Sequence, residues 1–156
     1  MTRSIVTLLM IGISASSMAD IRNFESFSID VPTEWTHNVE PRAGSADLPG
    51  ELITLNRPTG IGELKIMSFV APNEIGQDRL RLFTNVDMST TLVLQEWGDF
   101  SGYQHSYVER ESYFEQWWLL NGGTILVITY ESDADAPQVE IEAIEEMLSS
   151  IQINRA

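Results

Sequence analysis

Ser112-Tyr-Phe-Glu-Gln-Trp-Trp-Leu-Leu-Asn121-Gly122-Gly123-Thr-Ile-Leu-Val-Ile-Thr-Tyr-Glu-Ser132 is the stretch that decides the fold. Two runs rich in β-branched and aromatic residues flank an Asn-Gly turn, the strongest short-range signal for a β-hairpin. Side chains alternate between the two faces of a strand, so adjacent Trp117 and Trp118 point to opposite sides. Ile125, Leu126, Val127 and Ile128 repeat the argument on the second strand. A hairpin apolar on both faces belongs in the middle of a sheet with cover on each side.

Working outward, Tyr103 to Arg110 is expected to be a further strand leading into the hairpin, with Gly98 to Gly102 as the turn before it. Thr90 to Trp97 is β-branched and apolar, and also reads as extended. Phe27, Ile29 and Val31 alternate with Ser28 and Asp30, the pattern of a half-buried strand. Pro32 ends that strand, and the turn Pro32-Thr33-Glu34-Trp35 carries Trp35 into the core before an extended piece at Thr36 to Glu40. Glu51 to Arg57 and Glu63 to Ala71 make two more strands, joined through Gly60 and Gly62. The loop between Pro41 and Gly50 carries little pattern.

Two helices are expected. One runs from Pro72 to about Met88, with Ile75, Leu82, Phe83 and Val86 as its apolar stripe and Asp78, Arg79 and Arg81 on its wet side. The other is capped by Asp135, has Pro137 in its first turn, and buries Val139, Ala143, Ile144, Met147, Leu148 and Ile151. A short last strand at Ile151 to Ile153 follows. The fold class expected is α+β, mainly an antiparallel sheet flanked by helices in an α/β/α sandwich. It forms one domain over residues 20–156.

Residues 1–19 read as an export signal. Arg3 supplies the positive start, Ile5 to Ile13 the short apolar core, and Ser17-Met18-Ala19 the small-x-small cleavage site before Asp20. An apolar run of this length is too short for a bilayer, which needs about 20 residues. No cysteine is present to accept a lipid, so a lipoprotein is excluded. A mature chain free in the periplasm or outside the cell is the expectation, with no stable membrane insertion.

Charge and composition narrow the function. The chain carries a net charge of −14. Losing the leader removes Arg3 and no acid, which leaves eight basic residues against 23 acidic ones. Nucleic-acid binding needs a basic footprint, and there is none. Without cysteine the chain has no thiol nucleophile, no Cys-based zinc site and no iron–sulfur cluster.

The search for other chemistry is short. His37 and His105 are the only histidines, and neither has a second ligand at metal-binding spacing. Asp133-Ala-Asp135 starts like a calcium loop, but Pro137 falls at its fifth position, a ligand position, the sixth has no glycine, and Ile144 sits where the bidentate Glu belongs. Gly60-Ile61-Gly62 lacks the third glycine and following helix of a phosphate loop. Ser101 and His105, with Asp99 or Glu109 as the acid, would be the pieces of a small hydrolase. Glu140, Glu142, Glu145 and Glu146 read as a solvated helix face. No catalytic residue, cofactor or metal follows from the sequence.

A recognition surface is the remaining candidate. Tyr103, His105, Tyr107 and Glu109 share one face of their strand, and side chains of this kind combine area with hydrogen bonding at low entropic cost. The competing assignment packs these rings under a helix, polar tips at the edge. Trp117 and Trp118 face the same choice, with at least one expected in the core. The candidate partner-binding residues are therefore Tyr103, His105, Tyr107 and Trp117.

Three groups of residues carry a resemblance. They are Phe27-Ser28-Ile29 with Pro32 and Trp35, then Gly98 to Tyr103, then Trp117-Trp118-Leu119 with Ile128-Thr129-Tyr130. With the ending Ile144, Leu148, Ser150 and Ile151, the chain resembles the PsbP-like and Mog-like superfamily, nearest to small bacterial families without an assigned role. The resemblance implies the α/β/α sandwich and a binding or assembly role, and it brings no catalytic residues. The function expected is a non-enzymatic periplasmic or secreted domain that binds another protein. The alternative is a periplasmic immunity protein that neutralises a delivered toxin, and a small hydrolase comes third.

Overall fold

In a computed structural model, residues 18–41, 50–58, 60–133 and 138–155 are described. The hairpin read from the sequence is its centre. Strand β8 (Ser112–Asn121) pairs antiparallel with β9 (Thr124–Asp133), Trp117 opposite Ile128 and Trp118 opposite Val127. Gly122 takes φ +57 in the two-residue turn, the left-handed conformation that glycine adopts without steric cost.

Five more strands extend this hairpin in both directions. Beyond β8 lie β7 (Phe100–Glu109) and the short β6 (Gln95–Trp97). Beyond β9 lie β5 (Glu63–Val70), β4 (Gly50–Asn56) and the edge strand β3 (Thr36–Pro41). Every pairing in the resulting order β3-β4-β5-β9-β8-β7-β6 is antiparallel. A second sheet has β2 (Phe27–Pro32) between β1 (Ala19–Asn23) and β10 (Gln152–Ile153). The helices are α1 (Gln77–Phe83) and α2 (Gln138–Leu148). One domain, mainly antiparallel sheet, is the result.

The main core lies on the face of the large sheet that meets α2 and the small sheet. Ile53, Leu55, Leu64, Ile66, Trp117, Leu119, Leu126, Ile128 and Tyr130 supply the sheet side. Ile141, Ile144 and Leu148 reach it from α2 at i, i+3, i+7 spacing, and Phe27, Ile29 and Val31 reach it from β2. Trp35 enters this core from the turn after β2, where its N–H donates to the Pro32 carbonyl at 3.0 Å.

The opposite face is covered less. Leu80 of α1 packs there on Tyr103, Leu120, Ile125 and Val127, with Phe69, Ile75, Leu92 and Trp118 half-buried around them. A seven-residue helix is about 10 Å long at 1.5 Å per residue, too short to roof seven strands. The sequence reading put both faces of the hairpin under cover. Among the described residues, the second face is roofed only around β7, β8 and the start of β9.

The middle helix also differs in phase. It ends at Phe83 and not near Met88, and its inward residues are Leu80 and Arg81. Leu82 and Phe83, expected in the stripe, are exposed. Arg81, expected in water, is buried because its guanidinium replaces water with four protein acceptors. Nη1 donates to Thr84 Oγ1 at 3.1 Å and to the Val86 carbonyl at 2.9 Å. Nη2 donates to the carbonyls of Asp87 and Thr90, both at 2.9 Å. Those bonds hold 84–94 as an irregular strap, so the strand expected from Thr90 forms only at Gln95–Trp97.

The Gly98–Gly102 segment is shorter as a turn than expected. Only Gly98 and Asp99 turn, and Phe100 already pairs with Trp97. Gly102 sits inside β7, where a Cβ would fall 1.8 Å from the Trp118 carbonyl oxygen.

The acids of α2 are a further correction. Glu140 is buried, and its Oε2 accepts the Ile61 N–H at 3.4 Å. Glu145 turns inward as well, sharing the Gln104 amide with Glu115 at 3.0 and 2.7 Å. The export signal through Ser17, most of the Pro41–Gly50 loop, and Asp135 with Pro137 lie outside the described residues.

Candidate interaction surface

Period-two geometry and strand register build the surface. On β7, the side chains of Ser101, Tyr103, His105, Tyr107 and Glu109 share the α1 side of the sheet. Cross-strand partners place Trp118 beside Tyr103, Gln116 beside His105, and Phe114 beside Tyr107. The next strand continues each row with Val127, Thr129 and Glu131, and β5 adds Met67, Lys65 and Glu63.

The strap and α1 roof the Tyr103 end. Tyr103 is buried, His105 half-buried, and Tyr107 is 37% exposed, so the row emerges from under its cover as it runs along β7. Along the emerging part the rings stack. His105 and Tyr107 have centroids 5.9 Å apart at 21°, and Tyr107 and Phe114 are 4.8 Å apart at 10°. Trp118 Nε1–H donates to Gln116 Oε1 at 3.3 Å, and the Gln116 amide donates to Thr129 Oγ1 at 3.2 Å. A depression of about 610 Å³ opens between the strap and this row, with Asn85, Thr90, His105, Tyr107 and Gln116 among its walls.

Trp117 does not belong to this surface. It is 0% exposed, on the opposite face, in the main core. Its neighbour Trp118 stands beside Tyr103 instead. Residues missed by sequence reasoning are Phe114, Gln116 and Glu131. Counting outward from Gly122-Gly123, with Asn121 opposite Thr124, would have put Phe114 opposite Glu131.

Electrostatics suit a neutral histidine in an acidic setting. Burial, then the Arg81 guanidinium, lower the His105 pKa, against a hydrogen bond with Gln116 that raises it. Burial, with Glu109 and Glu131 nearby, raises the Tyr107 phenol. Both groups are uncharged at neutral pH.

Catalytic geometry does not assemble here. Ser101 and His105 are four residues apart on one strand, so about 13 Å separates their backbones at 3.3 Å per residue. That rules out a hydrogen bond between them. Glu109 lies equally far on the other side of His105. The Ser101 hydroxyl accepts the Gln77 amide at 2.8 Å, and Asp99 Oδ2 accepts the Ile153 N–H at 3.0 Å. Among the described residues no three His, Cys, Asp or Glu side chains converge to hold a metal ion. Among them, too, no helix is long and apolar enough to cross a membrane.

No family profile and no curated relative matches the chain. The fold is similar to a crystal structure from Bacteroides thetaiotaomicron VPI-5482 determined at 1.50 Å resolution, with a TM-score of 0.59 and 17% identity. The match covers 83% of this chain and 45% of that one, so this chain spans less than half of that protein's length. At this identity the likeness concerns the fold alone.

Proposed function

We propose that this is a non-enzymatic binding domain that engages another protein through the open half of its large sheet. One observation carries the reading. The ladder His105–Tyr107–Phe114 is stacked, ordered by strand register and, among the described residues, left without a roof beyond the strap. Sheet-borne aromatic rings with polar tips are rigid and half-dry, which keeps the entropic cost of binding low. The resemblance to the PsbP-like and Mog-like superfamily, with its helix-flanked sheet and its binding and assembly roles, supports the same reading. The leader-like first 19 residues favour a periplasmic or secreted place of action.

The test is affinity capture from the periplasmic and secreted fractions of the source cells, with the wild type and Tyr107→Ser side by side. Unfolding curves establish that the variant is folded. A protein retained by the wild type and lost with Tyr107→Ser is the expected outcome. Equal retention by both, or none by either, refutes the reading.

A further inference from the structure

The surface just described ends in acids. On the open side of the sheet, Glu131 lies directly across from Phe114, on the strand away from Tyr107. Glu63 lies directly across from Glu131 on the next strand. Asp133 and Glu109 lie on this side in the following row, on either side of Ser112. Lys65 Nζ contacts Glu63 Oε1 at 2.9 Å and is the one ion pair among the described residues. Glu131, Asp133 and Glu109 therefore have no basic partner within 4 Å among those residues.

Such an arrangement is unfavourable while the protein is alone. Like charges crowded on neighbouring strands are destabilising; Lys65 offsets the charge of Glu63, and Glu131, Asp133 and Glu109 are left uncompensated. A cation placed over this row would relieve the repulsion. An anion would be repelled by the three carboxylates that lack a basic partner. The rings beside them select further, because the negative face of an aromatic ring attracts a cation, and a planar guanidinium also stacks on it.

We propose that Tyr107, Phe114, Glu131 and Glu109 form a receptor for an arginine side chain carried by a basic segment of the partner protein. The guanidinium stacks on the face of Phe114 turned away from Tyr107 and directs its N–H groups to the Glu131 carboxylate, with Glu109 and Asp133 adding attraction. Lysine satisfies the charge and not the stacking or the forked hydrogen bonds. The proposal rests on the protein-binding reading above and specifies what the partner presents.

The test is an NMR titration of the full chain with capped Gly-Arg-Gly-Arg-Gly, its lysine counterpart and its citrulline counterpart. The arginine peptide is expected to give saturable shifts in the Tyr107 and Phe114 ring protons and the Glu131 amide. The lysine peptide is expected to bind about fivefold more weakly, and Glu131→Gln to weaken the arginine peptide by a similar factor. Citrulline keeps the shape without the charge and is expected to cause no shift. Equal shifts with citrulline, or unchanged affinity in Glu131→Gln, overturn the arginine receptor. Partner capture that is lost with Tyr107→Ser but intact with Glu131→Gln would overturn it too, and would leave the broader binding reading standing.

Discussion

Replacing Arg81 by methionine isolates the clamp that holds the strap over the aromatic row. Methionine keeps much of the apolar stem and removes all four guanidinium contacts, three of them to the carbonyls of Val86, Asp87 and Thr90. Charge-assisted bonds to carbonyls contribute about 1.5 kcal/mol each at the low end, so three amount to about 4.5 kcal/mol. Part of that returns when the strap loosens and its carbonyls hydrate, leaving a net loss of about 3 kcal/mol. For a domain of this size such a loss lowers Tm by about 10 °C. Urea and thermal unfolding measure the loss, and amide hydrogen exchange over 84–94 shows where it acts. A second readout is independent of stability. Without the Arg81 charge the His105 pKa rises toward 6.5 and stops short of it, because burial is the larger cause of its depression. Loss of less than about 0.5 kcal/mol, with unchanged exchange in the strap, would refute the clamp.

Three further outcomes follow from particular positions. Gly102→Ala forces a Cβ against the Trp118 carbonyl and should destabilise by about 3 kcal/mol or more, read as a lower urea midpoint; a neutral result would mean the strands can part there at no cost. Arg110 and Glu111 form the β7–β8 turn at φ 55 and 90, so the double change to Asn-Gly should stabilise by about 1 kcal/mol or more in the same assay. Because the folded His105 pKa is depressed, the unfolded chain takes up that proton first. Its contribution to stability is intact above about pH 6.5 and declines as pH falls from there through the lower folded value, a slope that His105→Gln should remove from a urea-midpoint profile.

What the sequence carried was local pattern. Phe27, Ile29 and Val31, the Trp35 turn and the hairpin around Gly122 all rest on side-chain alternation or turn chemistry, and they are found where that pattern puts them. What it did not carry depends on distant partners. Arg81 is buried by carbonyl oxygens, which leave no trace in side-chain identity, so its helix read in the wrong phase. Glu140 is buried by the backbone of Ile61, 79 residues away, and read as solvated for the same reason. Alternation says that Trp117 and Trp118 part company; only the register with α2 and the small sheet decides which one goes inside. The ladder was half legible: β7 gave its own row, and Phe114 with Glu131 needed the pairing across β8 and β9.

The small sheet joins strands that lie far apart in the sequence. Strand β2 has β1 on one flank and β10 on the other, and the Asp30 N–H bonds the Ser150 hydroxyl across 120 residues. Asn154 reaches the Phe24 carbonyl across 130. During synthesis this layer stays unfinished until residues 150–154 emerge, so its closure waits on a long-distance encounter. Until then β2 has β1 alone beside it, and the layer over the main core stays half built.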